Sequence, residues 1–115
     1  MTYYSKGLEL TAGVSNTVLE VPAGYDAKVT MLFISNTGGS THSVAATWND
    51  GVSIDFLSGK SVAAGDFIQF GGEPGLYLIM KEGDTLTVTP DAASSFSVIV
   101  SFELYPKAPR FNLWN

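Results

Sequence analysis

The chain has 115 residues, the size of one domain, and carries no cysteine, which rules out disulfides and thiolate metal sites as supports. Charged residues make up 15% and the net charge is −5, with the six basic residues scattered singly, so no cluster is present to grip a nucleic acid backbone. No uninterrupted apolar run approaches the ~20 residues of a membrane-spanning helix, and the first residues lack the pattern of a secretory signal, so a protein made in the cytoplasm is expected.

Residues 1–6 hold Tyr3 and Tyr4 and read as an N-terminal arm ahead of a domain spanning 7–105. From there each apolar stretch is short, has period two and is bounded by Gly, Pro, Asn or Asp, the pattern of strands joined by tight turns. Leu8 to Leu10 and Val18 to Val21 are the first two. Val29 to Ile34 breaks the alternation: Met31, Leu32, Phe33 and Ile34 are all apolar, as in a strand covered on both faces, by a loop or by a neighbouring subunit. Ser43–Trp48 and Val52–Phe56 flank Asn49-Asp50-Gly51, and Asp-Gly supplies the positive φ of a hairpin turn. Phe67–Phe70, Leu76–Met80, Thr85–Thr89 and Phe96–Leu104 complete about eight or nine strands. In the last, Phe96, Val98, Val100, Phe102 and Leu104 face inward, and Ser97, Ser101 and Glu103 outward.

The phrases Pro22-Ala23-Gly24-Tyr25-Asp26, Ala63-Ala64-Gly65-Asp66 and Lys81-Glu82-Gly83-Asp84 read as one turn solution used three times, each at a sheet-to-sheet or hairpin corner. Together these features predict an all-β fold, a single antiparallel β-sandwich of jelly-roll or immunoglobulin-like type. About twenty-five inward apolar side chains supply a core that folds without a cofactor.

Residues with chemical potential do not assemble into a motif. His42, the only histidine, falls in a Gly-Ser loop and reads as solvated; a catalytic triad would need a nucleophile and a carboxylate brought to it by the fold. Gly59-Lys60-Ser61 has the ending of a phosphate-binding loop but neither its first glycine nor a following helix, and reads as a turn. Asp50, Asp55, Asp66 and Asp84 do not form a calcium loop. No catalytic, cofactor or metal residue is assigned, and the expectation is a non-enzymatic protein.

Two groups are candidates for recognition. Trp48, Asn49, Asp50 and Tyr77 could form a surface platform for a sugar or receptor. The segment 106–115, an extended C-terminal arm, carries Phe111, Leu113 and Trp114 behind two prolines, an apolar load out of keeping with a solvated tail. Either it folds back on its own sandwich or it reaches a neighbour; with Tyr3 and Tyr4 it forms the expected assembly interface.

The order of Leu32 to Gly38 with its Ser35-Asn36-Thr37, the Trp48 hairpin, Ala64-Gly65-Asp66, Glu82-Gly83-Asp84-Thr85-Leu86-Thr87-Val88 and a final Ser-rich strand resembles small virion structural proteins of tailed bacteriophages, over residues 17–105. The resemblance implies a homo-oligomeric virion component made in the host bacterial cytoplasm, decorating the capsid or built into the tail or neck. Its implied partners are a major capsid protein or tail and neck proteins, with no nucleic acid, membrane or cofactor. A carbohydrate- or receptor-binding module is the alternative.

Overall fold

A computed structural model of the chain describes residues 2–107. Nine strands run in chain order: β1 Thr2–Glu9, β2 Asn16–Glu20, β3 Tyr25–Asn36, β4 His42–Asn49, β5 Ser53–Val62, β6 Phe67–Gly71, β7 Leu78–Met80, β8 Thr85–Pro90 and β9 Phe96–Pro106. One sheet has the order β1-β9-β3-β6, with β7 also beside β3, and the other β2-β8-β4-β5. All pairings are antiparallel. The first four strands alternate between the two sheets, and that interleaved order is the jelly roll rather than the immunoglobulin arrangement.

The three repeated phrases make the same corner. Asp66 donates its N–H to Ala63 O at 3.0 Å, Asp84 to Lys81 O at 3.0 Å and Tyr25 to Pro22 O at 3.2 Å, each across a glycine of positive φ. All three carry the chain from one sheet to the other, at β2 to β3, β5 to β6 and β7 to β8. Two of them also join: Val21 donates to Asp84 O and Gly83 to Val21 O, both at 3.0 Å.

Eighteen buried apolar residues form the core, with seven half-buried ones packed against it, matching the inward set that alternation marks out. Asn36 is fully buried beside them, and its side chain is saturated: Nδ2 donates to the carbonyls of Ser40 and Val62, both at 2.9 Å, and Oδ1 accepts from Gly38 N–H at 2.9 Å.

Four expectations are corrected. From Thr2 onward the N-terminal stretch is not an arm but a strand, paired residue for residue with β9 from Thr2–Leu104 to Glu9–Ser97. Gly59-Lys60-Ser61 is no turn; it lies within β5, where a register shift between Val44 and Ala46 of β4 accommodates extra residues. The apolar run in β3 is not covered on both faces by the described residues. A bulge between Val29 and Met31 resets its phase, so that Leu32 and Ile34 point inward after Val29, while Met31 and Phe33 stay half-buried. Glu103, expected on the wet face, is buried and accepts the Tyr105 hydroxyl proton.

Candidate functional site

Three surfaces stand out for what they leave uncovered. The first is the edge of β1. Its one partner strand among the described residues is β9, so the opposite row of backbone N–H and C=O groups is free along eight residues. Tyr4 stacks on Phe102 with ring centroids 5.4 Å apart, yet Tyr3 remains 69% exposed, and all but Leu8 in this strand are open to solvent. Only Lys6 and Glu9 put charge on it.

The second is the outer face of the same sheet. Ile99 stands opposite Phe33 across β9 and β3, and Phe33 stacks on Phe67 of β6 at 4.8 Å. Ile99 and Phe67 are largely exposed, so an apolar stripe crosses three strands. The signal was available in the sequence, since Val98-Ile99-Val100 interrupts a face otherwise carrying Ser97 and Ser101.

The third is a cleft of about 420 Å³ where the sheets gape between β5 and the β6–β7 edge. Phe56 and Phe70 bridge the two sheets edge to face, ring centroids 5.3 Å apart, and Ile54, Leu76, Trp48 and Tyr77 line the walls. The structure therefore brings together two of the four residues marked as a recognition platform, and adds Ile54, Phe56 and Leu76, which period-two reading does not single out. Lys28 lies over the Tyr77 ring, 4.4 Å from its centroid.

Asn49 and Asp50 sit in the adjoining hairpin, and their polar atoms are engaged internally. Asn49 donates to Thr85 Oγ1 at 3.1 Å and accepts from Ser53 Oγ at 2.6 Å; Asp50 pairs with Lys81 at 2.8 Å. Trp48 is half-buried and its Nε1–H reaches Asp84 Oδ2 at 3.3 Å, while the same oxygen accepts Lys81 N–H at 2.9 Å. The cleft is thus walled by apolar groups. Phe111, Leu113 and Trp114 lie outside the described residues.

His42 is not a solvated loop residue. It opens β4, half-buried, with Nε2 3.1 Å from Ser40 Oγ and Nδ1 2.8 Å from Asp91 Oδ1. Asp91 Oδ1 is shielded from water and accepts no aligned hydrogen bond, so the imidazole is the group placed to answer it. Oδ2 accepts Ser43 N–H at 2.9 Å and Ser43 Oγ–H at 3.3 Å. The backbone N–H of Ser43, ahead of the other causes, holds the Asp91 carboxyl below its ordinary value. The order Ser40, His42, Asp91 is that of an acid–base relay, but Ser40 is exposed on a loop that the cleft does not reach, so the contacts fasten the β3–β4 loop to the β8–β9 turn. Among the described residues no three His, Asp or Glu side chains gather as metal ligands.

No protein-family model matches the chain, and no curated protein matches it. A solved Bacillus structure, described by the statement that "Bacillus endospore appendages form a novel family of disulfide-linked pili", is similar to it with a TM-score of 0.53. The match covers 93% of this chain and 88% of that one at 13% identity, a likeness of fold.

Proposed function

We propose that this chain is a non-enzymatic structural subunit that assembles with copies of itself. The observation that carries the reading is the edge of β1 that no described strand covers: eight residues long, seven of them exposed, with charge only at Lys6 and Glu9. Proteins that work alone blunt such an edge with charge, proline or a cover, because it templates pairing with another chain. The apolar stripe of Ile99, Phe33 and Phe67 offers a neighbour a surface on the same sheet. The jelly-roll likeness to an appendage protein is consistent with a structural role, although linkage by disulfides is closed to a chain without cysteine. Within that role, the residue order from Leu32 to Leu104 supports a place in a tailed-phage virion, on the capsid or in the tail or neck.

The double substitution Tyr3→Lys with Ser5→Lys tests the edge. Sedimentation should show assembly requiring at least tenfold more protein while the variant stays folded, since Tyr3 is exposed and Ser5 gives up only one exposed hydroxyl contact, to Ser101 Oγ at 3.0 Å. Unaltered assembly would remove the edge from the account.

A further inference from the structure

Resting on the reading of the chain as a self-assembling subunit, we infer that the apolar cleft between β5 and the β6–β7 edge receives the Phe111-Asn112-Leu113-Trp114 segment of a second copy. The cleft's volume of about 420 Å³ is that of a site for a few large side chains. Its mouth is open and apolar, with Leu76 and Tyr77 each more than half exposed. Leaving such residues in water forgoes the gain of burying them. In the C-terminal segment the sequence supplies matching residues, since Phe111 and Leu113 fall on one side of an extended chain.

The point where β9 ends decides between the chain's own tail and a neighbour's. Pro106 lies opposite Tyr25, and Lys107 donates its N–H to Gly24 O at 2.9 Å, so the chain is still running away from the cleft at residue 107. The nearest cleft residue on β3 is Val29, five positions back from Gly24, or about 17 Å along the strand. The β7 edge lies a further two strand spacings across, about 10 Å. Taken at right angles, the two distances put the cleft about 20 Å from Lys107, whereas Phe111, four residues further on, lies within about 13 Å of it even on a fully extended path. A second copy has no such limit. Tail into cleft is a head-to-tail contact, which propagates as a ring or filament.

The test removes the edge contact first. In the Tyr3→Lys/Ser5→Lys background, one protein lacks residues 108–115 and a second carries Leu76→Asp, a change at an exposed loop position that the fold tolerates. Each alone should be monomeric by light scattering. Mixed in equal amounts they should form a one-to-one heterodimer that grows no further, one giving the tail and the other the cleft. Ile54→Asp in place of Leu76→Asp should behave the same way. A labelled peptide of residues 107–115 should bind the tail-less protein at least tenfold more tightly than its Leu76→Asp form. A mixture that stays monomeric, or a tail-less protein with otherwise native sequence that assembles as the full chain does, overturns the inference while leaving edge assembly standing. A full chain that is monomeric at every concentration overturns the reading on which it rests.

Discussion

Asn36 shows what a single buried polar side chain can hold. Its three hydrogen bonds fix the start of the β3–β4 loop to the end of β5, and truncation would leave the Val62 carbonyl without that donor. Asn36→Ala should cost about 2–4 kcal/mol in a chemical denaturation series, from lost bonds and an unsatisfied buried group. Asp91 fastens the next turn, and its dependence on pH follows from the direction of its shift. Because the folded state holds this carboxyl below its ordinary 3.8, the stabilisation is present above that value and is lost as pH falls through the lower folded value. Asp91→Asn should flatten the decline in melting temperature below about pH 4. Tyr105 shows the opposite direction, its phenol pushed up to about 12 first by the hydrogen bond it donates to Glu103.

At the scale of elements, the sheet-changing corners are the parts most open to substitution tests. Gly83 has φ of 86° in the corner that leads into β8, so Gly83→Ala should destabilise by roughly 1–2 kcal/mol, the cost of the left-handed region for a residue with a Cβ. Gly39 has no positive φ and open space around it, so Gly39→Ala should be close to neutral in the same measurement. These corners were legible because Gly-Asp phrases carry their own local geometry. So were β8, whose inward residues alternate throughout, and β9, whose inward residues alternate from Phe96 to Phe102 before buried Glu103 breaks the pattern. β1 was not: a strand exposed on both faces has no apolar period, and its pairing with β9 joins residues at opposite ends of the sequence. The bulges that reset β3 and lengthen β5 are equally silent, since an extra residue reads as broken alternation. The His42–Asp91 contact was hidden for the same reason, as it needs the β8–β9 turn to come beside the start of β4.

For the whole molecule, the cleft is a property of how two sheets diverge, which no single strand announces. Trp48 and Tyr77 were visible as large aromatics near turns, but that Ile54, Phe56 and Leu76 join them depends on where the β5 and β6–β7 edges part. The jelly roll leaves β1 with an open edge and that cleft on the opposite side of the same sheet from β1, so contacts made through the two would not compete for one surface. Such a layout suits a subunit with more than one kind of neighbour. The most direct measurement is the mass of the purified full chain in solution across a concentration series, by light scattering and sedimentation. Masses rising in whole multiples of 12.2 kDa toward rings or filaments are the expected result, and a mass fixed at one chain over the whole range would contradict the account.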